Sequence, residues 1–214
     1  MVFLWSCHLY DLGLKDILLF IATLQPQNPD LDREIKVEDF QILSKECAQL
    51  YIADYGTNAV VRISGRATFV SSVPFKKLVN ALIDRGCKSF TLDLSDCQLM
   101  DSTFLGVLVG LSRKFVDSVQ SILLFNPSEQ VREMFDNLGI LDLFGAVDSL
   151  SVESDLISAV PNDGLTNKSD LAKNSLMAHQ ALMDVNRENE VKFKEVALFL
   201  EENLKDSLKG VSAD

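Results

Sequence analysis

The chain has only two histidines, His8 and His179, and its four cysteines, Cys7, Cys47, Cys87 and Cys97, are scattered without a C-x-x-C pair. No zinc-ligand spacing and no framework of close disulfides can be written from such a set, and isolated cysteines of this kind fit a reduced, cytoplasmic setting. Glycine is sparse, with 10 in 214 residues. It nowhere forms the glycine-rich loop that cradles a nucleotide phosphate, nor the dinucleotide-binding turn, so no cofactor is implied. Basic residues are outnumbered 20 to 31 by acidic ones, for a net charge of -11. That balance excludes the basic face a nucleic-acid backbone or an anionic lipid surface requires, and suits a basic protein partner or simple solubility.

Long apolar runs are missing as well. Residues 1–25 are apolar in stretches, as at Ile17-Leu18-Leu19-Phe20-Ile21, but Asp11, Lys15 and Asp16 interrupt them. The longest run falls far short of the ~18–20 residues of a membrane span, and no cationic segment precedes it as in a signal peptide. A short amphipathic helix is expected there, with no stable membrane insertion. Catalytic signals are equally thin. Both histidines lie in flanking segments, so neither a Ser-His-Asp nor a Cys-His arrangement is legible, and carboxylates this abundant read as a solvated face. No catalytic and no metal-binding residue is assigned, and the chain reads as a non-enzyme.

What the chain does have is an ordinary globular composition, 47% hydrophobic and 24% charged, and a regular middle. Residues 25–30 are a proline-broken connector. Residues 50–53 and 59–63 are β-type runs separated by a turn at 54–58, which predicts a hairpin. Phe75, Leu78, Val79, Leu82 and Ile83 recur at three- and four-residue spacing, predicting a helix over 73–85. An alternating strand follows at 89–94 and a helix over 102–115 with Leu105, Leu108, Val109 and Leu111 inward. Residues 121–125 form a continuous apolar strand, 128–138 a third helix, and 146–150 an edge strand. Strands separated by helices predict right-handed crossovers and parallel pairing, with the hairpin adding an antiparallel edge. The division is an N-terminal extension over 1–47, an α/β domain over 48–151, a linker over 152–168 and a helical extension over 169–210. Leu171, Leu182, Val185, Phe193, Val196, Leu200, Leu204 and Leu208 give the extension an apolar stripe, bent or split around residues 186–189. Such a stripe needs a partner, either the domain or a second copy.

One segment carries most of the functional signal. A strand ending at Leu94 leads through a polar loop into Asp101-Ser102-Thr103-Phe104. Asp, Ser and Thr cap helices because their oxygens accept hydrogen bonds from the free amides of the first turn. A hydroxyl at that end also sits where the helix dipole tolerates a phosphate dianion. Adding one beside Asp101 would concentrate charge on what reads as an exposed surface, a workable switch for binding.

The run from Leu92 to Leu111, with Val61-Arg62-Ile63-Ser64-Gly65 before it and Asn126-Pro127-Ser128 and Leu138-Gly139-Ile140 after it, resembles the STAS family of sulfate transporters and anti-sigma-factor antagonists. The resemblance covers about half the chain. It implies an α/β fold in which a mixed sheet of four or five strands is flanked by helices, here with the C-terminal helical extension added. It also implies an anti-sigma-factor antagonist that binds an anti-sigma factor acting as a serine kinase and so regulates transcription indirectly. The kinase phosphorylates the serine after the signature aspartate, Ser102, and a metal-dependent phosphatase of the PP2C type restores binding. Asp101, Ser102, Thr103 and Phe104 are then the partner-binding residues. Phe104 stands where the family usually has glycine, so it alters the surface the kinase reads or packs beneath it. Gly65-Arg66-Ala67-Thr68-Phe69 replaces the family's acidic run, which points to a different target. The alternative is a non-switching STAS adaptor in a lipid-transport or signalling complex, with Ser102 only a cap. The helical extension is also a candidate for self-association.

Overall fold

A computed structural model describes residues 47–115, 122–150, 158–159 and 167–211, with only the backbone given for 158–159 and 206–211. The apolar prefix, the connector after it and most of the expected linker lie outside the described residues.

The expected hairpin is present. β1 (Gln49–Asp54) and β2 (Asn58–Ala67) pair antiparallel, from Gln49 opposite Ser64 to Asp54 opposite Ala59. The chain reverses at Gly56, whose φ of 81° is open to glycine at no steric cost, while Asp54 Oδ1 accepts the Gly56 N–H at 2.8 Å. Next come α1 (Phe69–Asp84), β3 (Ser89–Asp93), β4 (Cys97–Met100), α2 (Ser102–Ser112), β5 (Ile122–Phe125), α3 (Glu129–Asn137), a 3-10 turn (Leu141–Leu143), β6 (Gly145–Val147) and β7 (Ser158–Ala159). The strand order is β6-β5-β3-β2-β1-β7, with β4 pairing on β2. β2, β3, β5 and β6 are mutually parallel neighbours. Right-handed crossovers advancing in one direction therefore set α1 and α2 side by side on one face of the sheet.

The fold is the mixed α/β sheet flanked by helices that was expected, and it is wider at two places. Cys97–Met100, which reads as loop, is β4; it takes up the end of β2 beyond the irregularity at Gly65 and Arg66. Ser158–Ala159, in the stretch read as linker, pairs with β1. Helix α1 also begins four residues before the expected Val73. Phe69 can start it because its N–H is accepted by Asp101 Oδ2 at 2.6 Å and the Thr68 N–H by Ser71 Oγ at 3.0 Å, so Pro74 lies in the second turn rather than at the start.

The core joins Val61, Ile63, Phe90, Leu92, Ile122 and Leu124 of the sheet to Phe75, Val79 and Leu82 of α1 and Phe104, Leu105 and Leu108 of α2. Each such side chain contributes roughly 1.5–3 kcal/mol on burial. The C-terminal extension forms α4 (Lys168–Val185) and α5 (Arg187–Val211), parted at Asn186 as its position in the sequence suggests. Leu171, Leu182, Phe193 and Leu200 of the stripe are buried within the chain itself. α4 packs against both α1 and α2, and α5 packs against α4, with Phe193 and Leu200 reaching the domain core. Among the described residues no helix is long and apolar enough to cross a membrane.

Asn189 of α5 fixes the joint between the α4–α5 pair and the domain. Its buried Nδ2 donates to the carbonyls of Leu138, at 2.9 Å, and Leu182, at 3.1 Å. Asn189→Ala would leave those two carbonyls with only the longer bonds from Asn186, at 3.4 and 3.3 Å, and urea unfolding should register a loss of about 0.5–1.5 kcal/mol. An unchanged midpoint would show that the joint is held elsewhere.

Candidate functional site

Helix α2 starts at a buried carboxylate. β4 delivers Asp101 in extended backbone, and its own N–H donates to the Ala67 carbonyl at 2.9 Å. Oδ1 accepts the Phe104 N–H at 2.7 Å, the N-cap bond of α2, and Oδ2 accepts the Phe69 N–H at the start of α1. One side chain thus caps two helices. Charge-assisted bonds and the positive ends of two helix dipoles offset the cost of burying it.

Ser102 is the first residue of α2, directly after that cap. Its sequence position suggests an exposed surface; in the folded chain it is 2% exposed, because α4 lies over it. Ser102 Oγ and His179 Nε2 of α4 are hydrogen-bonded at 3.1 Å. Next to them Thr103 Oγ1 donates to Ser175 Oγ at 3.5 Å, and Asn174 Nδ2 donates to Ser72 Oγ of α1 at 2.8 Å. Phe104, the second of the two readings given to it, packs beneath: it is fully buried, its ring 4.8 Å from that of Phe75. All four residues of the expected binding face are therefore enclosed, two under α4 and two in the core. Sequence reading missed His179, Ser175 and Asn174 as neighbours of this face. A signal for a cover was present, since no charged residue occurs from Ser102 to Leu111, and a helix apolar all round is buried all round.

His179 is fully buried and stacks on Phe193 of α5, centroids 5.0 Å apart. Burial pushes its imidazole down to about 4, and the Ser175 carbonyl one turn back opposes this only weakly. Nδ1 has no hydrogen-bond partner of good geometry. A Ser–His contact invites comparison with a nucleophile and its base, but here the orienting position at Nδ1 carries no carboxylate and a base held neutral near 4 is weak at ordinary pH. The pair is a buried polar contact between helices. Beside it, Lys76 Nζ donates to Asn174 Oδ1 at 3.1 Å, and burial and then the charge of Lys114 lower its ammonium. Elsewhere burial alone would raise the Asp93 carboxyl, but hydrogen bonds from Ser95 and Arg62 outweigh it and leave it below the usual range. Among the described residues no group of three or more His, Cys, Asp or Glu side chains is placed to hold a metal ion.

The fold is a mixed α/β sheet flanked by helices, and residues 51–155 match the family model described as the STAS domain. That part of the chain is a STAS domain. Solved structures similar to the chain include the anti-sigma factor antagonist SpoIIAA in its unphosphorylated form, 18% identical, with a TM-score of 0.42 and coverage of 46% of this chain and 88% of that one. The Bacillus cell fate determinant SpoIIAA in its phosphorylated form is also similar, 18% identical, with a TM-score of 0.39 over 46% of this chain and 91% of that one. No curated protein matches the chain with significance.

Two outcomes follow from the site. Asp101→Ala removes the acceptor of the Phe69 amide of α1 and the Phe104 amide of α2 in the interior and should cost about 2–5 kcal/mol in chemical denaturation, with Asp101→Asn in between because its amide keeps one acceptor oxygen. The second concerns pH. The His179 pKa is depressed in the folded state, so the unfolded chain binds more protons between about pH 6.5 and about 4. Its contribution is present in full above about 6.5 and is lost as pH falls toward 4, about 3 kcal/mol in all. His179→Gln should flatten the stability profile across that window, as measured by denaturation at stepped pH.

Proposed function

We propose that the chain is a phosphorylation-switched protein-binding module of the anti-sigma-factor-antagonist type, cytoplasmic, which binds an anti-sigma factor acting as a serine kinase. The observation that carries this reading is the placement of Ser102: in a STAS domain, it is the first residue of α2 and follows the capping Asp101. The kinase transfers the γ-phosphoryl group of ATP to Ser102 Oγ, the hydroxyl proton leaving to a kinase base, and a metal-dependent phosphatase hydrolyses the ester to reset the switch. At the head of α2 the helix dipole favours the phosphate, while neighbouring Asp101 makes the site strongly negative. Because Ser102 lies buried against His179 of α4, modification would change both the charge of this face and whether α4 covers it.

A second reading, a non-switching STAS adaptor, is favoured by the bond between Ser102 and His179, which gives the serine a structural partner. Incubation with an anti-sigma serine kinase and radiolabelled ATP separates the two. The switch predicts phosphate incorporation that disappears in Ser102→Ala, and kinase binding weakened ~10-fold or more in Ser102→Asp, as one added charge at an interface does. Phosphate retained in Ser102→Ala would remove Ser102 as the site. Unchanged binding by Ser102→Asp would favour the adaptor.

A further inference from the structure

We propose that the α1–α2 face beneath α4 is a helix-binding surface which this chain keeps occupied in cis, so that α4 and a partner helix exclude one another. The inference rests on reading the Ser102 face as the binding face, but its test involves no kinase.

The residues of α4 that meet the domain include Leu171, Asn174, Ser175, Ala178, His179 and Leu182. They recur at spacings of three, one, three, one and three, which is a single helical face. Small residues sit at its centre, hydrogen-bonding side chains beside them and leucines at the ends, the pattern of an amphipathic helix laid in a groove. The groove supplies the complement. Ser102, Thr103 and Ser72 offer hydroxyls to His179, Ser175 and Asn174, and Gly106 provides the clearance. A Cβ at position 106 would stand 2.3 Å from the Ala178 carbonyl oxygen, so α4 seats only because that residue has no side chain. Gly110, one turn further along the same helix, faces open space.

The interface is built to be reversible. Hydroxyl, amide and imidazole pairs exchange their bonds for water when the helices part, so they specify the register while adding little net stability. Contacts between separable units of one chain are more polar than a domain core for the same reason. The apolar contacts of Leu171, Ala172 and Leu200 with Phe69 and Val73 make the covered state the resting one. α4 also keeps a partner when it leaves, because His179 and Gln180 contact Phe193 and Glu201 of α5. A phosphate on Ser102 has no room beneath α4: the oxygen that would carry it already lies 3.1 Å from His179 and beside the buried Asp101 carboxylate. Phosphorylation and cover are therefore alternatives, and the partner the surface fits is a helix with small residues opposite Gly106 and hydrogen-bonding groups opposite Ser102.

The test uses the full chain carrying Ser102→Cys, with maleimide modification followed residue by residue by mass spectrometry. Cys87 and Cys97 are buried in the domain core and report whether the sheet stays closed. Adding Gly106→Ala, which improves helix propensity but wedges against α4, should speed modification at position 102 by ~10-fold or more while Cys87 and Cys97 stay protected. Gly110→Ala should change nothing. His179→Ala loosens α4 by a second route and should act in the same direction. A synthetic peptide of residues 168–185 should then slow modification in the His179→Ala chain and have no effect in the Gly106→Ala chain. Three results would each overturn the proposal: unchanged modification at 102 in both variants, acceleration only together with Cys87 and Cys97, or a peptide without effect in either chain. Slow modification throughout alongside phosphorylation of Ser102 would sink the surface and leave the phosphate reading standing; rapid modification without phosphorylation would do the reverse.

Discussion

The Asp101 carboxylate is the constraint on which the arrangement around it depends. It accepts the Phe69 N–H with one oxygen and the Phe104 N–H with the other, while its backbone is tied to Ala67 at the end of β2. Two helices, one strand end and the exit of β4 are thereby referred to one buried group. A carboxylate without partners at that depth would cost several kcal/mol, so the amides and the group are kept together by the same penalty. The angle between the α1 and α2 starts is fixed by this sharing, and with it the width of the groove between them.

That groove is where the chain departs from a bare STAS domain. α4 lies in it, and the fit is limited by the missing side chain at Gly106 rather than by area alone. Two effects compete at the interface. Burial of leucine and alanine side chains favours the covered state, at ~25 cal/mol per Å² of apolar surface. The hydroxyl and imidazole pairs contribute register but little net energy, and the folded state loses ground as pH falls because the unfolded chain takes up the proton that the buried His179 resists. The covered state is the one the structure shows, and a charge placed on Ser102 would oppose it, because a buried charge without a partner is costly.

Much of this was legible in the sequence where the signal is local. The hairpin announced itself by β-type runs flanking Gly56, α2 by its capping residues, and the parting of α4 from α5 by the asparagines at 186 and 189. The misses are instructive because each depends on a distant partner. The four-residue β4 becomes a strand only by pairing with the end of β2, and α1 gains its first turn only because Asp101, 32 positions later, accepts the Phe69 N–H. The contact between Ser102 and His179 spans 77 positions, and nothing local to either residue encodes it. Charge-free α2 was the one local trace of the cover: Gly106, Val107 and Gly110 turn away from the sheet-facing leucines yet carry no polarity, which a solvated helix face would. Phe104 belongs to the same logic, since a ring in the first turn of an exposed helix would be costly and here it is core.

The central claim is that α4 is a separable cover on a domain that stays folded without it. Native-state hydrogen exchange on the full, unmodified chain measures this directly. The account predicts that amides of residues 171–182 exchange through an opening with a smaller free energy and a smaller urea slope than those of Val61, Leu92 and Leu124, which remain protected until global unfolding. Coincident free energies and slopes for α4 and the central strands would show one cooperative unit, and would contradict it.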